Sequence, residues 1–208
     1  MNHAPAIAAA TEIRPGRFPD LDGLDLYARV LRAFLEEWRL DPGIVDGFLV
    51  SPAGMATGIG ADIFVHETLG DSLGIHPVFS ETLNVGGATY AIMAARAALA
   101  IASGRANAVL CAAAGKFPKV GAGGAEAMAR MVSHPDFEFP YGTFIPALYA
   151  LAATRHMHER GTTREALASV AVSTRQWALR HPDAIMREQG PVTIADVLAS
   201  RPIAEPFH

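Results

Sequence analysis

The residues best placed to do chemistry in this sequence are Asn84-Val85-Gly86-Gly87, a glycine turn that opens an alanine-rich run. Between Gly86 and Ser103 there are eight alanines among larger apolar residues, and Arg96 is the only formal charge. If that run is a helix, its first N–H groups lack intrahelical acceptors and the positive end of its dipole faces the turn. Backbone donors so placed can hold an oxyanion or an enolate. Asn84 itself has no ionisable nucleophile. Cys111 lies inside the apolar run 108–112 and reads as a core thiol without an activating neighbour. His66 and Glu67 are adjacent, and His156 and His158 are two apart, so neither pair shares a helix face and no metal site is read. Gly58 and Gly60 lack both the third glycine of a dinucleotide loop and a Gly-Lys-Ser/Thr sequence.

The elements that must position the glycine turn follow from the pattern. Residues 5–13 form a short apolar run, read as a first strand. Residues 22–40 carry Leu24, Tyr27, Leu31, Phe34, Leu35 and Trp38 at helical steps, with Asp20 or Asp22 as cap and Asp41-Pro42-Gly43 as stop. Strands are expected at 47–52, 78–83 and 105–114, with a short helix at 62–73 and the alanine-rich helix between the last two strands. Alternation of this kind predicts an α/β fold with a largely parallel sheet. A helix apolar nearly all round belongs in an interior; the central Arg96 and the alanine content argue against a membrane span. Residues 116–143, rich in glycine, alanine and methionine, read as an insertion covering a site. A helix over 144–160 follows, with Pro146 in its first turn and Gly161 as its stop. Thr162-Thr163-Arg164-Glu165 reads as a capping box for a helix over 164–180, expected to bury Leu167, Val170, Ala171, Thr174 and Trp177. A last short helical turn is expected at 194–198.

The totals fit this picture. The chain has 208 residues, half of them hydrophobic and 18% charged, which supports a sizeable core and leaves surface for something to cover. A net charge of −4 with dispersed cations points away from nucleic acid. One cysteine excludes an internal disulfide, and no signal-peptide pattern opens the chain, so a cytoplasmic protein without a membrane span is expected.

Several features taken together resemble the N-terminal half of thiolases. They are the alanine-rich helix running into Ala102-Ser103-Gly104-Arg105-Ala106-Asn107-Ala108-Val109-Leu110, and Tyr141-Gly142 before a helix that carries His156-Met157 near its end. Gly161-Thr162-Thr163-Arg164-Glu165-Ala166-Leu167 and His181-Pro182-Asp183-Ala184 complete the set. The nearest branch is the sterol-carrier-protein type and its lipid-transfer relatives. The resemblance covers nearly all of residues 1–208 and implies a layered α/β thiolase-like half, with a mixed, mostly parallel sheet around a buried alanine-rich central helix. It departs from the family in two ways. A working thiolase carries Cys-x-Ser-Gly in the turn before the buried helix, where a thiolate accepts the acyl group, and the corresponding residues here read Asn84-Val85-Gly86-Gly87. The C-terminal half, with its catalytic histidine and second cysteine, is absent from residues 1–208.

The resemblance implies a coenzyme A ester as substrate, so that coenzyme A enters as part of the substrate and no cofactor is bound. Cysteine-less members of this branch are retro-aldol lyases that use tyrosine acid–base groups and work with an OB-fold partner. Tyr141 is the candidate catalytic residue on that reading; Tyr90, inside the helix, is read as packing. Asn84, Val85, Gly86, Gly87 and His134 are the candidate substrate-binding residues. Dimerisation through the edge strand 78–83, or pairing with a thiolase-like partner chain, is implied, together with exposed apolar faces where the second half would pack. Three functions are open at this point: an acyl-CoA lyase or acyl-transfer enzyme completed by a second half, a non-catalytic acyl-CoA or lipid-binding module, and an inactive fragment.

Overall fold

The computed structural model describes residues 4–53, 64–116, 124–142 and 144–208. They divide into two units, residues 1–13 with 17–118 and residues 14–16 with 119–208.

In the first unit, Asp22 and Asp25 form a reciprocal capping box that starts helix α1, Gly23–Trp38. Arg39 ends it in the left-handed conformation with φ 51°, and Asp41 caps a short 3-10 turn at Pro42–Ile44. The chain continues through β1 (Gly47–Val50), α2 (Val65–Leu73), β2 (Phe79–Thr82), α3 (Thr89–Ala102) and β3 (Val109–Ala112). The strand order is β2-β1-β3, and both pairings are parallel, with Gly47 opposite Phe79 on one side and Val109 on the other. A Cβ on Gly47 would sit 2.8 Å from Val109 Cγ2, so a larger residue here would have to push the Val109 side chain aside.

All four β1 residues are buried, as a central parallel strand requires. Phe48 and Val50 face a core built with Tyr27, Leu31, Val65, Leu69 and Ile75 of the α1–α2 side. Leu49 faces the opposite way, onto Phe79, Leu83 and the α3 residues Met93, Ala97 and Ala100. The result is a three-layer helix–sheet–helix arrangement, the α/β class that strand–helix alternation leads one to expect.

Three expectations need correction here. Residues 5–13 form no strand: Ile7 is 88% exposed, and both edges of β1 are occupied by β2 and β3. The segment hydrogen-bonds instead to the end of α1, where Trp38 Nε1 donates to Ala10 O at 3.1 Å and Thr11 Oγ1 donates to Glu37 at 2.7 Å. Alanine gives a weak drive to pair as a strand. Cys111 is not a core residue. It alternates out of the Leu110–Ala112 face and is exposed on edge strand β3. Tyr90 is not packing either. The buried face of α3 is Thr89, Met93, Ala97 and Ala100, which leaves Tyr90 62% and Leu99 69% exposed.

In the second unit, α4 (Gly124–Val132) lies within the stretch read as a covering insertion. Its alanine and glutamate content favours helix, and Arg130 pairs with Glu126 one turn earlier at 2.9 Å. A 3-10 turn at Phe139–Tyr141 leads to α5 (Ile145–Arg160) and α6 (Arg164–Arg180); α7 (Ile194–Ala199) follows a 3-10 turn at Ile185–Gln189. Gly161 closes α5 at φ 68°, and His156 Nε2 meets Thr162 Oγ1 at 2.8 Å, a helix-end role for that histidine. Thr163 caps α6 by accepting from Ala166 N–H, so Glu165 occupies the second helical position and the expected capping box is a single-sided cap. The expected buried stripe on α6 is also overturned. Ala168 is buried and Val172, Arg175 and Leu179 are half-buried, because α6 turns this side to α7 and the 185–189 turn. Arg175 secures that packing through Gly190 O at 2.7 Å. Val170 and Trp177 stand 64% and 67% exposed. The glycine pair at 58 and 60 lies outside the described residues, and among the described residues no helix is long and apolar enough to cross a membrane.

Asp46 fixes where β3 enters the sheet. Its carboxylate accepts from Asn107 N–H at 2.9 Å, Asn107 Nδ2 at 2.8 Å and Ala108 N–H at 2.8 Å. Burial opposes its charged form, but the Ala108 and Asn107 donors outweigh it and hold the carboxyl below its ordinary value. Its stabilisation is therefore complete above the ordinary value of 3.8 and is lost as pH falls through the lower folded value. Asp46→Ala is expected to lower stability at pH 7 by about 1 kcal/mol, modest because the carboxylate is partly solvated. In urea unfolding, its deficit relative to wild type should shrink below pH ~4. An equal deficit at pH 7 and pH 3 would contradict this assignment.

Candidate functional site

The glycine turn sits where β2 hands the chain to α3. Leu83 still belongs to the sheet register, with its N–H on Val50 O at 2.8 Å. Beyond it, Gly86 adopts φ 59°, a left-handed conformation that favours glycine. The backbone then folds onto the side chain of Thr89, the first residue of α3. Val85 N–H donates to Thr89 Oγ1 at 2.9 Å, and Thr89 Oγ1 donates to Gly86 O at 2.7 Å. Thr89 is buried, with 4% exposed. Sequence reasoning missed it, although a threonine two residues after a glycine pair at a helix start is a local turn signal.

The geometry separates the four turn residues by role. Val85 N–H is consumed by Thr89, and Gly86 N–H leans on Asn84 Oδ1 at 3.4 Å. Among the described residues neither Asn84 N–H nor Gly87 N–H meets an acceptor, and of the two Gly87 stands next to α3. No side chain caps the first turn of α3, but Ala88 N–H and Thr89 N–H already donate to Val85 O at 3.3 Å and Gly86 O at 3.1 Å, so what the helix start adds for an anion is its dipole. Asn84 stands five residues before the first helical residue, whereas Gly87 stands two before it. A Cβ on Gly87 would meet nothing within 4 Å.

The other candidate residues are distributed as follows. Cys111 is exposed by area, yet its Sγ lies 4.0 Å from Met93 O beside α3, and burial of the thiol pushes it up to about 11. Residue area and thiol environment disagree here, and the thiol environment governs reactivity. Tyr141 and His134 belong to the second unit. Tyr141 ends the Phe139–Tyr141 turn and is 84% exposed, followed by Gly142 at φ 72°. His134 Nδ1 accepts from the N–H groups of Asp136 at 3.2 Å and Phe137 at 3.4 Å, so one of its ring nitrogens is already engaged. His66 Nδ1 meets Thr82 Oγ1 at 2.7 Å and secures α2 to the end of β2. Among the described residues no group of three or more His, Cys, Asp or Glu could hold a metal ion.

Comparison with known proteins agrees with the architecture. The steroid side-chain-cleaving aldolase of Thermomonospora curvata is 31% identical over 218 residues, covering all of this chain and 54% of that protein. An acetyl-CoA acetyltransferase of Methanothermobacter thermautotrophicus is 27% identical over 209 residues, 97% of this chain and 51% of that protein. The 17-hydroxy-3-oxo-4-pregnene-20-carboxyl-CoA lyase of Mycobacterium tuberculosis is 31% identical over 137 residues, 62% of this chain and 35% of that protein. No protein-family model matches the chain. The chain belongs to the thiolase superfamily and spans about half the length of the first two of these relatives.

Two thiol experiments test the electrostatics of the turn. The native Cys111 is expected to alkylate at pH 7.5 roughly a hundredfold more slowly than in the unfolded chain, as the rise from 9.0 to about 11 implies; a rate near the unfolded one would contradict it. In a Cys111→Ser background, Gly87→Cys should give a thiol whose alkylation pKa lies about one unit below that of Asn84→Cys, because it stands nearer the dipole end. Equal alkylation profiles would show that the helix start does not act at Gly87.

Proposed function

We propose that this protein binds an acyl-CoA thioester with its carbonyl oxygen at the Gly87 N–H, at the dipole end of α3. The observation that carries this reading is a helix start preceded by a backbone donor that no described residue accepts, with no thiol in the turn, in a chain that aligns with enzymes named for coenzyme A esters. Without a cysteine the acyl group is not transferred to the turn. The reaction class that fits is carbon–carbon cleavage of a β-hydroxyacyl-CoA with an apolar, steroid-like or lipid side chain, in preference to acyl transfer. A base takes the hydroxyl proton, the Cα–Cβ bond breaks, and its electron pair forms the thioester enolate while the β-carbon leaves as a ketone. The Gly87 N–H and the α3 dipole hold the enolate oxygen until Cα is protonated. Thr89 keeps the turn in the conformation that presents this donor.

Tyr141 is the proposed acid–base group, and Asn84 and His134 contribute to substrate binding. Catalysis requires a second thiolase-like half or a partner chain, with an OB-fold protein as a further acyl-CoA-binding partner. Dimerisation through the free edge of β2 is part of the proposal; Val78, just before it, is 71% exposed. Coenzyme A comes and goes with the substrate, and the cytoplasm is the expected compartment. Retaining the same turn for binding alone, without turnover, is the second reading, favoured by the missing nucleophile.

Incubation with a β-hydroxyacyl-CoA, in the presence of the completing half, should release a ketone with no covalent acyl adduct in the intact-protein mass. Tyr141→Phe should lower that release by at least about a hundredfold, the scale of a lost acid–base group, with thioester affinity by calorimetry held within a few fold. An acyl adduct, or unchanged turnover in Tyr141→Phe, would overturn the lyase reading. Binding of the thioester without any ketone release would establish the binding module instead.

A further inference from the structure

Tyr90 is the second residue of α3 and stands three residues beyond Gly87. Helical side chains lean toward the N-terminus of their helix and cover the turn before their own Cα. For Tyr90 that turn is Gly86-Gly87. Tyr90 is not among the residues that α3 buries, which are Thr89, Met93, Ala97 and Ala100, and it is 62% exposed. Among the described residues its hydroxyl makes no hydrogen bond. An aromatic residue gains little from a helix by propensity, so neither packing nor helix formation accounts for it.

Helix α2 packs with Val65 and Leu69 on the Phe48 and Val50 face of β1, whereas α3 packs on the Leu49 face. β1 and β2 therefore send the chain to opposite faces, and in open parallel sheets ligands bind in the crevice at the carboxyl ends of two such strands. The Tyr27 hydroxyl marks that end of β1, where it donates to Ser51 O. Burial is the main cause of the raised Tyr27 pKa and Tyr90 adds a smaller rise, so the two phenols lie within electrostatic reach of each other. Tyr90 thus stands at the carboxyl ends of the strands, on the helix that begins just after the Gly87 N–H.

We propose that Tyr90 is a catalytic residue of the glycine-turn site, its hydroxyl donating a second hydrogen bond to the thioester oxygen that the Gly87 N–H holds. The proposal rests on the acyl-CoA reading of that turn. One N–H satisfies one lone pair of a carbonyl oxygen, and an enolate oxygen gathers negative charge that calls for a further donor. The phenol supplies one, and a short stretch of one helix start sets it on the same support as Gly87. Both donors are then in place before the charge develops, so little reorganisation is needed as the Cα–Cβ bond breaks. Tyr90 transfers no proton in this role. Its O–H bond stays intact, and the hydrogen that reaches Cα comes from the acid–base group, so its task is separate from the one assigned to Tyr141.

Calorimetry on the completed protein tests the second donor with two ligands. One is a saturated acyl-CoA, whose thioester oxygen is neutral; the other is S-carboxymethyl-CoA, whose carboxylate presents the charge of the enolate. Tyr90→Phe should weaken the carboxylate ligand by at least about tenfold, the scale of one hydrogen bond to a charged oxygen, and the thioester by no more than about threefold. Because the Tyr90 hydroxyl bonds to no described residue in the free protein, the variant should unfold at the wild-type temperature. Equal weakening of both ligands would assign Tyr90 to shape and not to charge, and would overturn the proposal, as would unchanged binding of the carboxylate. Either result, with thioester binding intact in the wild type, leaves the acyl-CoA reading standing. A wild type that binds neither ligand overturns that reading and the role of Tyr90 with it. Selective loss in a protein that never releases ketone would support the second donor and sink only the lyase assignment.

Discussion

A parallel strand buried on both faces cannot borrow water for its backbone, and β1 is such a strand. Its hydrogen bonds must come from β2 and β3, which ties three distant parts of the chain into one register. The same constraint explains the polar groups that stand guard at its ends. Asp46 collects the N–H groups that lead into β3 at one end. At the other end the fully buried Tyr27 hydroxyl donates to Ser51 O at 2.5 Å, with Ser51 Oγ at 2.8 Å and Ala112 O at 3.3 Å. Burial of that phenol raises its pKa, so it remains a neutral donor. These clamps hold β1 against β3, and β2 in turn leaves β1 at the Leu83 N–H to Val50 O bond, just before the glycine turn.

The turn depends on this register and adds a second layer of control. Gly86 supplies the positive φ, and Thr89 takes up the Val85 N–H. What the fold leaves open is a backbone donor and the dipole of a 14-residue helix, fixed groups that need no reorganisation to meet a developing negative charge. A site made of backbone amides can stabilise an enolate but cannot form an acyl-enzyme. The distinction between cleavage and acyl transfer is thus a property of side chains absent from the turn, and the scaffold is indifferent to it.

How much of this was legible in the sequence varies with the physical source of the signal. Local signals read well: Asp22 as cap of α1, Pro146 in the first turn of α5 and Gly161 at its end follow from backbone donors and allowed φ values. The alternation of strands and helices gave the α/β layering for the same reason. Signals that depend on what packs against an element read poorly. The 5–13 run has the composition of a weak strand, but β1 has no free edge for it. Cys111 looked interior because its neighbours are apolar; alternation along edge strand β3 places it on the α3 side, where much of the residue stays exposed. Thr89 escaped notice because its role exists only once the turn has folded back onto it.

The misread face of α6 and the half-open α3 have one explanation. Periodicity in a sequence records every surface an element covers over the life of the protein, including surfaces supplied by other segments. Helix α6, which packs with α7 and the 185–189 turn, carries two stripes: Ala168, Val172 and Leu179 are buried or half-buried, while Val170 and Trp177 lie open. Helix α3 likewise buries Met93 and Ala97 and leaves Tyr90 and Leu99 uncovered. Val170 and Trp177 share one side of α6, whereas Tyr90 and Leu99 flank the buried side of α3 from opposite directions, and solvent alone gives no reason to keep large apolar residues there. The proposed completion by a second half accounts for both, since it requires apolar surfaces that this chain does not itself cover.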